Sequence, residues 1–141
     1  MVINAAVHYA CLAMMDLAMH CKDGQPVRTS EITVRHDIPG PYLVQILRTL
    51  KSTGWVRAVR GAQGGYVLAV DPDSITLLDI AEAIGCTEST DRGDQPMSDA
   101  QRALQRRWNE ASEESRARLA RVRLGDVVRE CQDVAAPMFY I

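Results

Sequence analysis

The stretch from residue 38 to residue 70 constrains the fold most, because an amphipathic helix pattern runs directly into a glycine-rich hairpin pattern. Gly40 and Pro41 are typical of a helix start, since proline in the first turn lacks only an N–H that would have no partner there. Apolar residues then recur at helical spacing, namely Leu43, Ile46, Leu47 and Leu50. Gly54 stands where a left-handed residue would end the helix. The stretch therefore predicts a short helix with one buried face.

The opposite face of this predicted helix is polar and carries Tyr42, Gln45, Arg48, Thr49 and Ser52. Such side chains form hydrogen bonds with base edges and phosphates, and Arg48 adds positive charge. Glutamine pairs best with adenine and arginine with guanine. This composition predicts a helix that enters a DNA groove.

The hairpin pattern strengthens this interpretation. Trp55 to Val59 form a strand-like run with Arg57 inside it and Arg60 after it, residues 61–65 make a turn, and residues 66–70 return. A basic residue beside a glycine-rich turn can follow the backbone close to DNA and enter a narrow minor groove. A helix followed at once by such a hairpin is typical of a winged helix. An ordinary surface hairpin beside an amphipathic helix is the alternative.

Two helices are predicted before this stretch. Residues 3–21 carry a continuous apolar stripe, Ile3, Val7, Ala10, Met14, Leu17 and Cys21, which indicates a core helix. Thr29 can cap a short helix that has Glu31 in its first turn and ends at Asp37. A short helix, a tight turn and a second helix with a polar face predict a helix-turn-helix, in which Thr29 and the nearby amides hold a phosphate.

The charge distribution agrees with DNA as the partner, although the net charge is −2. Residues 1–60 hold seven Lys and Arg against four Asp and Glu, which is +3. Residues 61–141 hold nine against fourteen, which is −5. Basic charge is therefore concentrated around the predicted recognition helix and wing, and local potential is what steers a polyanion.

Compartment and enzyme class follow from what the sequence lacks. It has no run of 18 apolar residues and no basic segment before its apolar start, so we expect a cytoplasmic protein that does not span a membrane. The four cysteines, at 11, 21, 86 and 131, form no Cys-x-x-Cys pair and are expected to be reduced. No phosphate loop, catalytic triad or metal-ligand spacing is present, so we predict no catalytic residues and no metal site.

The C-terminal half predicts two more helices. Thr76 and Asp79 form a capping box for a helix through Ile84 that Gly85 ends. Residues 86–97 are polar and turn-rich and are expected to form a mobile loop. Ser98 and Gln101 form a second capping box, which opens a long helix from Asp99 to about Val122.

One narrow apolar seam runs along this long, densely charged helix, through Leu104, Trp108, Ala111, Ser115, Leu119 and Val122. The spacing is close to a heptad repeat, and a chain of 141 residues offers little other surface to cover it. We therefore predict that the seam is a homodimer contact. A solvated helix packed on its own domain is the alternative.

Taken together, these patterns predict a mainly α fold with a small β-hairpin wing. A winged helix-turn-helix domain occupies residues 1–85, a loop residues 86–97, and a dimerisation helix with a C-terminal segment residues 98–141. The expected partners are double-stranded DNA and a second copy of the chain.

The chain resembles the IscR/NsrR/RirA/CymR family of bacterial winged-helix transcription regulators. The resemblance rests on Ile38-Pro-x-x-Tyr-Leu-x-x-Ile-Leu-x-x-Leu50, on Arg60-Gly-x-x-Gly-Gly-Tyr66, and on Ile75-Thr-Leu-x-Asp-Ile80, Trp108 and Leu124-Gly-Asp-Val127. It implies a homodimer joined through the long helix, a recognition helix in the major groove and a wing arginine in the minor groove. In this sequence the implied DNA contacts are Pro41, Tyr42, Gln45, Arg48, Arg60 and Gly61.

The sequence departs from the family at the iron–sulfur site. Cluster-sensing members carry three cysteines in the loop and at the start of the long helix, where this chain has Thr90, Pro96 and Arg102. None of these can be a thiolate ligand for iron. We therefore predict a transcription regulator, and expect it to be a repressor, without the usual cluster and without another cofactor.

Three alternatives remain open from the sequence. Cys86 lies in the loop and could be a redox switch, which a full redox response in Cys86→Ser would eliminate. An unusual metal or cluster site could combine Cys86 with another cysteine and with groups near His8 or His36, although no spacing supports it. The winged helix could also bind a protein in place of DNA.

Overall fold

The computed structural model describes residues 3–85 and 95–135, which form six helices and one two-stranded hairpin. In chain order the elements are α1 (Ala5–His20), α2 (Thr29–His36), α3 (Gly40–Ser52), β1 (Val56–Val59), β2 (Gly65–Leu68), α4 (Leu77–Ile84), α5 (Asp99–Leu119) and α6 (Leu124–Ala135). Single 3-10 turns lie at Lys22–Gly24 and Pro72–Ser74. This is the predicted fold class. No helix in the described ranges has both the length and the apolar character needed to cross a membrane.

Helix α1 is the centre of the core and contacts α3, α4 and α6. Most of its predicted stripe is buried, namely Val7, Ala10, Met14 and Leu17. The helix begins at Ala5 because the side chain of Asn4 accepts a hydrogen bond from the Val7 N–H at 2.9 Å. Ile3 therefore lies outside the helix and is half exposed.

Helix α3 packs on α1 with the face that the sequence predicts. Its four regularly spaced apolar residues are all buried: Leu43, Ile46, Leu47 and Leu50. Gly54 follows the last turn with a φ of 86°, which is the left-handed conformation expected at the end of a helix. The polar face of α3 is consequently fixed toward the outside.

The start of α2 differs from the prediction. Arg28, with extended backbone, occupies the capping position, and Thr29 is the first helical residue. The expectation that Thr29 caps the helix is therefore wrong. The Glu31 carboxylate stabilises this end of the helix, because it accepts a hydrogen bond from the Arg28 N–H at 2.9 Å.

The hairpin is joined to the segment that leads into α2. Strands β1 and β2 pair antiparallel, with Val56 opposite Leu68 and Val59 opposite Gly65. Val27 adds a further bridge, since it exchanges two backbone hydrogen bonds of 2.8 Å with Tyr66. A Cβ atom on Gly65 would collide with the Val27 carbonyl, so this close approach requires glycine.

Helix α5 ends at Leu119, about three residues before the predicted end near Val122. The chain turns there because the carbonyl of Val122 accepts a hydrogen bond from the Leu77 N–H at 2.9 Å. The Leu124 N–H in turn donates to the Ile75 carbonyl at 2.9 Å. These bonds direct α6 back against α1, where Leu124 is fully buried.

A buried carboxylate connects α1 to α2. Asp16 has no exposed surface, and its two oxygens accept hydrogen bonds from Arg35 Nε at 2.7 Å and Arg35 Nη2 at 2.9 Å. His36 Nε2 lies 2.8 Å from Asp16 Oδ1, and His20 Nε2 lies 3.8 Å from it. Burial alone would raise the pKa of Asp16, but the hydrogen bonds from Arg35 and His36 outweigh it and hold the pKa below its ordinary 3.8.

We expect Asp16→Asn to lower the free energy of unfolding by about 2–3 kcal/mol at pH 7, because Arg35 loses an ionic partner and a buried acceptor. The pKa of Asp16 is lower in the folded protein than in the unfolded chain. Its contribution is therefore complete above the unfolded value near 3.8 and is lost as the pH falls through the folded value. Urea unfolding at pH 7 and pH 3 measures both effects, and the gap between wild type and variant should narrow at pH 3.

The matched control is Asp133→Asn, which changes an exposed carboxylate on α6 and should alter stability by less than about 0.5 kcal/mol. Equal losses at both pH values would contradict the ionic role of Asp16.

Candidate nucleic-acid interface

The outward face of α3 carries polar groups that the fold leaves unused. Pro41, Gln45 and Arg48 are all exposed. Within residues 3–85 and 95–135, neither Gln45 nor Arg48 forms a side-chain hydrogen bond or an ion pair. Both side chains are therefore available to an external partner, as the sequence predicts.

Other polar residues of α3 are partly engaged with the protein itself. The ring of Tyr42 meets the ring of Tyr9 edge-on, with 5.8 Å between centroids, and about half of the Tyr42 residue is exposed. The Thr49 hydroxyl donates to the Gln45 carbonyl at 3.2 Å, and the Ser52 hydroxyl donates to the Thr49 carbonyl at 2.6 Å. Thr49 and Ser52 are thus less suited to base contacts than Gln45 and Arg48.

Val44 is a residue of this surface that the polar pattern does not reveal. It is 47% exposed and lies three residues after Pro41 and four before Arg48, which puts it on the same side of α3. Val44 is apolar, so a pattern of polar residues does not include it. Its position does indicate exposure, because it falls outside the buried stripe of α3.

The wing is exposed and basic, with one arginine in β1 and one at the start of its turn. Arg57 and Arg60 are exposed, and neither side chain forms an ion pair with a residue in the described parts of the chain. Gly61 is also exposed and has a φ of 115°, which strongly favours glycine at this point of the turn. The Arg28 guanidinium holds the tip in place by donating from Nη2 to the Ala62 carbonyl at 3.1 Å.

A groove of about 470 Å³ separates the start of α2 from the wing. Thr29 lines it and is half buried, with its carbonyl accepting from the Thr33 hydroxyl at 2.9 Å. The first amides of α2 also lie here, at the positive end of the helix. Thr29 thus lines this groove although it does not cap α2, and its phosphate contact stays a prediction.

The predicted seam of α5 divides into two parts. Leu104 and Trp108 are 53% and 58% exposed, and Ala111 is exposed as well. Ser115, Leu119 and Val122 are half buried. Arg116 of this second part forms an ion pair with Glu82 of α4, so the C-terminal end of α5 is attached to its own chain while the N-terminal end is uncovered.

The described residues do not fit an iron–sulfur cluster. They contain no group of three His, Cys, Asp or Glu side chains that could hold a metal ion. Pro96 offers no side-chain ligand, and Arg102 is a cation that pairs with Asp99 at 2.6 Å. Thr90 and the proposed switch Cys86 lie outside the described residues.

The cysteines of the described parts are separate from the candidate interface. Cys11 and Cys21 are half buried and belong to α1 and its end, and Cys131 is exposed on α6. Burial raises the pKa of the Cys11 thiol to about 11, so it forms little reactive thiolate at neutral pH.

Comparison with known proteins decides the family. The model of the Rrf2 family, described as iron-dependent transcriptional regulators, matches residues 3–130. The chain belongs to the Rrf2 family. The predicted resemblance is therefore confirmed, and the relatives found are transcriptional regulators, a class without enzymatic activity.

Individual Rrf2 relatives agree over most of the chain. The transcriptional regulator IscR of Cereibacter sphaeroides is 35% identical, with 92% of this chain and 88% of that protein covered. Shorter matches at 43% and 39% identity, to candidate HTH-type regulators of Synechocystis and Aquifex aeolicus, span only 56% and 58% of those proteins.

Solved structures of Rrf2 proteins show the same fold. IscR of T. potens is 28% identical and superposes with a TM-score of 0.78, covering 99% of this chain and 97% of that one. CymR, described as the global cysteine regulator of B. subtilis, is also 28% identical, with a TM-score of 0.70 and coverage of 92% and 98%.

We expect Arg60→Ala to weaken binding of duplex DNA about tenfold, because one charged contact to the minor groove is lost. The slope of log affinity against log salt should also flatten by somewhat under one unit, as for one lost phosphate-like contact. Fluorescence anisotropy at several salt concentrations measures both quantities.

Arg121→Ala is the matched control, because Arg121 is an exposed arginine that follows α5 and belongs neither to the helix-turn-helix nor to the wing. An unchanged affinity and salt slope in Arg60→Ala would contradict the assignment of the wing to the DNA surface.

Proposed function

We propose that this Rrf2 protein is a homodimeric, sequence-specific DNA-binding repressor that works without the three-cysteine iron–sulfur cluster. The observation that carries the proposal is the polar and basic surface of the helix-turn-helix and the wing, on which Gln45 and Arg48 of α3 and Arg60 of the wing are exposed and Thr29 lines the groove between α2 and the wing. Such a surface can read base edges, a narrow minor groove and the phosphate chain together.

Assembly as a homodimer is supported by the uncovered half of α5. Leu104 and Trp108 lie one turn apart and are both more than half exposed. Exposed large apolar side chains in register on one helix face are typical of a contact with another helix. A two-fold dimer would present two recognition helices to two half-sites.

Function without the cluster is supported by the chemistry of the side chains. Where cluster-binding relatives need thiolates, Pro96 has no donor atom and Arg102 carries positive charge. Neither side chain can supply the thiolate that a cluster iron requires.

Repression is the regulatory effect that requires the fewest contacts. A dimer that covers a promoter blocks the polymerase by occupancy alone, which needs only the DNA surface and the α5 contact. Activation would need a further productive contact with the polymerase.

We expect protein purified without oxygen to contain no stoichiometric iron or sulfide and to bind a specific duplex at physiological salt. Absorption spectroscopy, iron and sulfide assays and a gel-shift assay with competitor DNA measure these properties. Visible bands with stoichiometric iron would contradict the cluster-free proposal. If the protein binds no duplex specifically, the result would favour a winged helix that binds protein.

We expect Trp108→Glu to weaken self-association at least about 100-fold, since both copies lose a buried aromatic contact and gain an unpaired charge. Sedimentation velocity should then show a monomer. Ala117→Glu is the matched control, because it adds the same charge to an exposed position on the other side of α5. Dissociation of both variants, or of neither, would contradict the proposed seam.

A further inference from the structure

Val44 is an exposed apolar side chain on the side of α3 that also carries Gln45 and Arg48. It is 47% exposed, and its neighbours on that side of α3 are Pro41, Gln45 and Arg48. The buried face of the helix is complete without it. Valine is also a weaker helix former than alanine, so neither the core nor the helix requires a valine here.

The chemistry of the major groove offers a partner for such a side chain. Each base pair presents hydrogen-bond donors and acceptors there, but only thymine presents an apolar group, its 5-methyl. A branched aliphatic side chain is suited to contact this methyl group, while Gln45 and Arg48 beside it supply the polar contacts. The N-terminal half of a recognition helix is also the part that approaches base edges.

We propose that Val44 is a specificity-determining residue that recognises a thymine through its 5-methyl group. The inference rests on the proposed DNA-binding function and deepens it, because it adds the recognition of one particular base to the polar contacts of Gln45 and Arg48. Val44 discriminates thymine from cytosine and from a thymine that lacks its methyl group.

The chain offers a matched control in Val34 of α2, which is 82% exposed and lies outside the recognition helix. Val34→Ala and Val44→Ala remove the same two methyl groups from exposed helical positions. Both variants should fold normally, because alanine favours a helix, and thermal unfolding checks this.

The experiment starts from duplexes that wild-type protein selects from a randomised pool. Each thymine of a selected duplex is then replaced singly by deoxyuridine, which lacks only the 5-methyl. In wild type and Val34→Ala, replacement of one particular thymine in a half-site should weaken binding about fourfold, as expected for one buried methyl group. In Val44→Ala the thymine duplex should itself bind about fourfold or more weakly, and the same replacement should have no further effect.

The outcomes distinguish a failure of the Val44 contact from a failure of the proposed DNA-binding function. If wild type selects a duplex but no deoxyuridine replacement weakens binding, or if Val44→Ala keeps the full penalty, the role of Val44 is overturned and the DNA-binding function stands. If no duplex is selected at all, both the proposed DNA-binding function and the role of Val44 are overturned.

Discussion

The buried carboxylate of Asp16 sets the arrangement of the DNA-binding elements. A charge without exposed surface is stable only when it is paired, so α2 must dock where Arg35 and His36 reach this carboxylate. The turn after α2 then delivers α3 to the same core helix, on which its apolar face is buried. The ionic contact thus ties α2 to α1, and the buried apolar face of α3 keeps the polar face of that helix outside.

Local chemistry explains why much of the fold could be predicted. The capping boxes Thr76–Asp79 and Ser98–Gln101 are present as the sequence indicates, and Gly54 and Gly85 adopt the left-handed conformations expected after a helix. These signals act over three or four residues, so spacing alone reveals them. The buried stripe of α3 is equally visible, because its period matches that of a helix.

What the sequence could not show depends on contacts between distant segments. The pairing of Val27 with Tyr66 and the bond from Leu77 to Val122 join residues far apart in the chain, and no local pattern marks them. Asp16 is the one charged residue in an apolar run of α1. Its role depends on Arg35 and His36 of α2, whose proximity the sequence does not show. Val44 is the converse case, an apolar residue on a polar surface. Its exposure could not be predicted from its type, because valine is usually buried.

The bridge between Val27 and Tyr66 has a mechanical consequence. It makes the wing an extension of the segment that starts α2, and the bond from Arg28 to Ala62 braces its tip. A tilt of the wing would therefore strain the two Val27–Tyr66 backbone bonds and the Arg28–Ala62 bond, which couple the wing to the start of α2. If α3 enters the major groove and the wing enters the minor groove as proposed, a duplex whose two grooves do not match this spacing would have to bend or twist to fit. Stiffness of the duplex at base pairs that no side chain touches would then contribute to selectivity.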